Sequence, residues 1–347
     1  MSPNRNERPL FVFGWPSNLG GADTKLVHLL ILLREHCDIT VVPNENRHLH
    51  NKTWTRFLDG LGVKYALIEK LPAKLAGIGL AMSNQCFFTH RIAQRAKERG
   101  LKIVWSSEMM WHHEGELDAV RAGVVDKVLY TSEFQRSALS PGYGDLPSAI
   151  TGNYIDPSHF PFKERQNQMF AIGRLSRADP LKYPEDFPVF YEALKLPEVR
   201  FRVMAWDEKL SRKYRWHRFD RRWDLLPPEK ERVVDFLQSL DLFVYPLGHK
   251  FRESWGRSTV EAMLTGCIPI VPRGHQFENL MVHGKSGFIC GDFLEYKDCC
   301  QTLFFDLGLR KSMSVECRRH AEVVLCNRTE HRARWLSALF GDTAVHG

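Results

Sequence analysis

The stretch RESWGRSTVEAMLTGCIPIVP (Arg252–Pro272) reads as a loop, a short helix and a buried strand. Ser258, Thr259 and Glu261 supply helix-start chemistry, Gly266 supplies the stop, and Cys267–Val271 is a short β-prone apolar run. A helix that ends on glycine and runs straight into a buried strand is one half of a parallel α/β unit. Glu253 precedes the helix and Glu261 lies in its first turn, eight positions on. Between them a helix start offers backbone N–H groups to an anion, with Gly256, Ser258 and Thr259 around it. Glu261 has a second, compatible reading, because Ser258-Thr-Val-Glu261 matches a capping box in which Glu261 caps its own helix.

The same rhythm extends outward. Strands are expected at Leu10–Phe13, Ile39–Val42, Lys102–Ser106 and Lys127–Thr131, and helices at Ala22–Arg34, Thr53–Gly60 and Thr89–Arg99. Leu26, Leu29, Leu30 and Leu33 fall on one helical face. Asp156–Gln168, polar and holding two prolines, interrupts the pattern as a hinge. Strands then resume at Met169–Ile172, Val199–Ala205 and Leu242–Tyr245, with helices at Glu185–Leu194 and Glu229–Ser239. The expected architecture is α/β: two Rossmann-like doubly wound domains, 1–160 and 161–328, facing a central cleft where such sheets bind ligands. Residues 329–347 form a terminal helical segment.

At 347 residues the chain has length for two domains, and 44% hydrophobic content with a mean hydropathy of −0.32 fits a soluble globular protein. No 18-residue apolar run exists, and MSPNRNERP has no signal-peptide core. Eight cysteines without a C-x-x-C pair suit reduced thiols, so the expected place is the cytoplasm, if need be peripheral at the inner membrane surface. A net charge of +7 favours anionic partners. The excess is concentrated in Lys209–Trp223 (KLSRKYRWHRFDRRW), where seven Lys or Arg alternate with four aromatic residues. Such a stretch serves a DNA backbone, an anionic lipid surface, or a solvated loop whose rings pack inward.

Three more segments carry chemistry. Gly14–Asp23 (GWPSNLGGAD) joins the first strand to the first helix, and Gly20-Gly21 lets a phosphate approach the helix start. It lacks the G-x-G-x-x-G pattern, which disfavours a nicotinamide cofactor. Gly173–Lys182 (GRLSRADPLK) places Arg174, Arg177 and Lys182 at and beyond the end of a strand. Trp111-His112-His113-Glu114 follows the Lys102–Ser106 strand, with Glu108 as an optional acid or base. Adjacent histidines diverge and no third ligand is evident, so a metal site is not expected there. Gly284-Lys-Ser286 imitates the end of a phosphate loop, but Asn279 occupies the place of its first glycine, which argues against ATP hydrolysis.

Glu253-x-x-Gly256, Glu261-Ala-Met, Gly266, Pro269 and Val271 resemble the E-x7-E donor segment of family 4 retaining glycosyltransferases, which have the GT-B fold. The Gly-Gly loop and Gly173–Lys182 extend the likeness. It implies a nucleotide-sugar cosubstrate of the UDP-glucose type, no obligatory metal or other cofactor, and retention at the anomeric carbon. The donor would lie mainly on the second domain, the acceptor mainly on the first, and the last helix would cross back to the first. By the same likeness Arg174 and Lys182 hold the diphosphate, with Arg177 an extra cation, and N–H groups near Gly256–Thr259 assist. Glu261 then binds ribose, Glu253 a sugar hydroxyl, and one of His112 and His113 the sugar. Gly274 and Glu278 are the nearest match to a further Gly-Gly-x-x-Glu element. The acceptor implied is an envelope lipid or polysaccharide, with hydroxymethylated DNA bases the alternative and no obligate protein partner. A nucleotide-sugar epimerase, and a nucleic-acid-binding protein on an idle scaffold, are readings of other classes.

Overall fold

Short apolar runs separated by helices satisfy their backbone groups as parallel strands covered on both faces, and this chain does so twice. The structure is a computed structural model that describes residues 8–17, 21–82, 84–165, 169–228 and 232–341. The chain divides into two compact units. One holds the described residues up to Ile155 together with those from Arg328 on, and the other spans Asp156–Asn327.

In the first unit β1 (Pro9–Phe13), β2 (Asp38–Val42), β3 (Lys64–Tyr65), β4 (Ile78–Met82), β5 (Lys102–Ser106), β6 (Lys127–Tyr130) and β7 (Ser148–Ile150) form a seven-stranded sheet in the order β3-β2-β1-β4-β5-β6-β7. In the second, β8 (Phe170–Leu175), β9 (Val199–Met204), β10 (Trp223–Leu226), β11 (Leu242–Val244), β12 (Ile268–Pro272) and β13 (Phe288–Cys290) form a six-stranded sheet in the order β10-β9-β8-β11-β12-β13. All pairings within both sheets are parallel. Each sheet runs outward for three strands and then returns to the far side of its first. The strand order therefore reverses at β1/β4 and at β8/β11, and the carboxyl ends there are the natural ligand positions.

Leu26, Leu29, Leu30 and Leu33 of the Gly21–Leu33 helix are all buried against β1, β2 and β4. The Arg328–Phe340 helix packs into that same core through Trp335, Leu336 and Leu339, and Lys127 Nζ donates to Ala338 O at 2.6 Å. In the second unit Tyr183, Phe187, Tyr191, Phe201, Tyr214 and Trp223 form an aromatic core.

Some elements differ from the sequence expectation. The helix expected over Thr89–Arg99 is two, Gln85–Thr89 and Ile92–Glu98, because Arg91 between them adopts a left-handed φ of 53°. The helix expected from Glu229 spans Val233–Gln238, with 229–231 outside the described residues. The polar Asp156–Gln168 run is no bare linker where it is described. Arg165 donates to Leu237 O, Leu240 O and Thr265 O at 3.2, 2.6 and 2.8 Å, capping the carboxyl ends of two helices.

Trp335 is fully buried, so Trp335→Ala is expected to cost the first unit about 3–5 kcal/mol. Hydrogen exchange at the β1, β2 and β4 amides measures this, and unchanged protection there would contradict the packing.

Candidate functional site

Gly173 and Arg174 lie in the second half of β8, just before its last residue Leu175, and Arg174 points inward. Its side chain is fully buried, with Cζ 3.9 Å from the Tyr183 ring centroid and 4.2 Å from that of Tyr245. Nη1 donates to Pro246 O at 2.6 Å, while Nη2 donates to Ser176 Oγ at 3.2 Å and Lys182 O at 3.4 Å. Two aromatic faces replace part of the lost hydration, and three acceptors replace more. The guanidinium thus ties the loop after β8 to the loop after β11. Gly248 makes that closeness feasible, since a Cβ there would lie 2.2 Å from Leu181 O.

Where the two loops meet, Lys182 Nζ donates to Glu253 Oε2 at 3.2 Å and lies 4.7 Å from the Phe251 ring centroid. Tyr245 Oη donates to the same Glu253 oxygen at 3.3 Å. Burial pulls the Lys182 ammonium down, but Glu253 and Tyr245 outweigh it and hold its pKa above the ordinary lysine value. Arg177 is exposed and close enough to act on Lys182 in the opposite sense. His275, from the loop after β12, accepts from Glu253 N–H through Nδ1 at 3.4 Å. Burial first, then Arg252, lowers the His275 pKa. Glu278 in that loop accepts from Gly274 N–H at 2.9 Å.

The next helix begins one residue before the sequence suggests. Gly256 caps it at φ 90°, where a Cβ would come within 2.5 Å of the Phe277 ring, so the helix is Arg257–Leu264. Ser258, partly buried, is then its second residue, and the Ser258/Glu261 capping box does not form. Glu261 instead pairs with Arg257 Nε at 2.8 Å, with the two side chains 9% and 10% exposed. Burial raises the Glu261 pKa against the opposing pull of Arg257. Thr259 is fully buried, and its Oγ1 has no hydrogen-bond partner among the described residues. Arg174, Lys182 and Glu253 are therefore brought together, while Glu261 is held on the adjoining helix. Tyr245, His275 and Arg257 join them without having been candidates. Of these, Arg257 and His275 stand in segments that the sequence marks, Arg257 inside Arg252–Pro272 and His275 between Gly274 and Glu278.

In the first unit Gly21 opens its helix and is exposed, while Gly20 lies outside the described residues. Ser17 Oγ donates to Asp23 Oδ2 at 3.0 Å across the helix start. Glu108 forms a buried ion pair with Lys25 at 2.7 Å and accepts from Ser106 Oγ at 2.8 Å. His112 and His113 diverge: His112 packs edge-on against Tyr143 at 4.9 Å, and His113 against Trp105 at 5.8 Å. Burial lowers the His113 pKa, with Glu116 opposing. Glu116 is fully buried and organises this loop, accepting from Trp105 Nε1 and His113 N–H, both at 2.8 Å, and from Tyr143 Oη. Among the described residues no three His, Cys, Asp or Glu side chains are grouped as metal ligands.

No protein-family model and no curated protein sequence matches the chain. Solved structures do. HepE of Anabaena, in complex with UDP and glucose, matches with a TM-score of 0.73 at 16% identity, over 96% of this chain and 100% of that one. A glycosyltransferase of Rickettsia africae ESF-5 matches with a TM-score of 0.71 at 11% identity, over 96% and 98%. The lipopolysaccharide outer core galactosyltransferase WaaB matches with a TM-score of 0.62 at 12% identity, over 96% and 99%. These identities establish architecture: the chain has the two-unit α/β fold of GT-B glycosyltransferases.

Proposed function

We propose that the protein is a retaining glycosyltransferase that moves a sugar from a UDP-sugar, of the UDP-glucose type, to an acceptor hydroxyl on an envelope lipid or polysaccharide. The observation that carries this reading is the Lys182–Glu253–Tyr245 cluster at the β8/β11 reversal, beside the helix that holds Glu261. Support for the donor comes from HepE, whose complexes contain UDP, and UDP-glucose. The retaining outcome rests on the E-x7-E resemblance.

In this mechanism Lys182 meets the diphosphate, with Arg177 within electrostatic reach and Arg174 fixing the loop from beneath. Fixed cations balance the charge that builds on the departing UDP, so no divalent ion is required. Backbone N–H groups of the Gly256–Thr259 turn add to this. Glu253 accepts from a sugar hydroxyl and Glu261 from the ribose. The acceptor hydroxyl attacks the anomeric carbon from the face that the diphosphate leaves. The C–O bond to phosphate breaks as the new one forms, and a phosphate oxygen takes the hydroxyl proton.

Tested against a panel of UDP- and GDP-sugars with lipid and glycan acceptors, the protein is expected to give an α-linked product from an α-linked donor, in EDTA as well as without it. Glu253→Ala and Glu261→Gln are each expected to lower kcat by roughly two orders of magnitude. Near-normal transfer by both variants, or an inverted anomeric signal by NMR, defeats the assignment.

Lys182→Ala should weaken UDP binding by about 1.5–3 kcal/mol in calorimetry while the melting temperature stays close to wild type. Arg174→Ala should lower both, because it leaves Pro246 O and a pocket between two rings unfilled. Equal melting temperatures for the two variants would contradict this division of roles.

His275 carries a depressed pKa, so its contribution to stability is fully present above the ordinary histidine value of about 6.5 and is lost as pH falls through the folded value. The melting temperature should therefore hold from pH 8 to about 6.5 and decline below it. His275→Gln should flatten that acid limb relative to wild type.

A further inference from the structure

The basic–aromatic stretch Lys209–Trp223 sorts into an inner and an outer set. Tyr214 and Trp223 are buried, and Phe219 packs edge-on against Trp206 and Trp223 at 5.4 and 5.2 Å. Three of the cations are engaged. Arg212 pairs with Glu208 at 2.9 Å, Lys213 with Glu185 at 2.8 Å, and Arg222 with Asp220 at 2.8 Å. The remaining four, Lys209, Arg215, Arg218 and Arg221, are exposed and have no ion-pair partner among the described residues. In their midst Trp216 is 54% exposed, the one large ring of the stretch turned outward. The inner rings fix the backbone from which this outer set projects.

An exposed indole among unpaired cations matches a surface that is anionic outside and apolar just beneath. We infer that the Glu208–Lys213 helix and its connection to β10 dock the protein on an anionic phospholipid bilayer. Trp216 enters the head-group layer, and Lys209, Arg215, Arg218 and Arg221 lie over the lipid phosphates. A nucleic acid fits less well. Binding a single strand calls for a run of exposed rings on which successive bases stack, and here the companion rings are committed to the core. Reading a duplex calls for a helix or ribbon presented to a groove, whereas Arg215, Arg218 and Arg221 lie on a loop.

Vesicle flotation with the full chain tests this, using phosphatidylcholine vesicles with and without a quarter phosphatidylglycerol. Binding is expected only to the anionic vesicles and should weaken with salt. Each cation near such a surface contributes about fivefold, so Arg215→Ser, Arg218→Ser and Arg221→Ser together should reduce affinity ~100-fold and flatten the salt dependence. Trp216→Ser should reduce affinity while leaving the salt dependence unchanged. Circular dichroism melting curves matching wild type would show that both variants remain folded. A wild type that ignores anionic vesicles, variants that bind them as wild type does, or tighter binding to DNA than to vesicles at 150 mM salt would each overturn the inference.

Discussion

Everything at the second unit's reversal point depends on one buried cation. A guanidinium cannot shed its proton at any ordinary pH, so Arg174 must be satisfied where it lies, without water. Its solution is to draw acceptors from two different loops, Lys182 O on one side and Pro246 O on the other, and to fill the space between Tyr183 and Tyr245. The strands that lead into these loops, β8 and β11, are hydrogen-bonded neighbours, so the brace spans a short distance and holds it firmly. Lys182 thereby acquires a fixed backbone, and its ammonium a fixed reach toward Glu253. If Arg174 moved, the pair above it would lose its floor.

The other charged groups follow the same constraint with different partners. Glu261 leans on Arg257, and Glu108 on Lys25. Glu116 has neither cation nor solvent and relies on an indole, a backbone amide and a phenol. Buried pairs of this kind add little net stability, because desolvation offsets the attraction, and well-packed apolar residues would serve a core as well or better. Their concentration near the carboxyl ends of β5, β8 and β11 is therefore better explained by use than by folding.

Much of this was legible in the sequence because it is carried by local pattern. The central strands β1, β2, β5, β8, β9 and β12 are apolar runs bounded by helix stops, and periodicity finds such runs. β3, β7 and β13 are edge strands of two or three residues; the equally short β11 is legible because its apolar run continues through Tyr245, and β4 is weakened as a signal by Gly77 and Gly79. The capping-box reading failed for a conformational reason. Side-chain pattern favours Ser258 as the cap, whereas the ring of Phe277, twenty-one residues on, leaves room only for glycine at 256 and so sets the helix onset. Tyr245, His275 and Glu116 were hidden for a related reason, since each matters through neighbours that the tertiary fold supplies. Arg257 differs: it stands four residues before Glu261 on one helix, a spacing that a local rule detects.

Burial of Arg174 and the diphosphate role that its motif implies are compatible once charge is separated from contact. A cation in a low-dielectric setting acts over several ångströms with little screening. Its influence is already felt at Tyr245, where it opposes the rise in phenol pKa that burial imposes. Tyr245 in turn donates to Glu253, which accepts from Lys182. A permanent positive charge beneath this chain biases the whole cluster toward holding negative charge above it, without the guanidinium touching a ligand. Lysine in that position would have been a poor substitute, since burial between two rings would favour its neutral form and the bias would vanish with the proton. The arginine near the end of β8 is thus explained by permanence of charge, while Lys182, whose ammonium reaches Glu253, makes the contact above it.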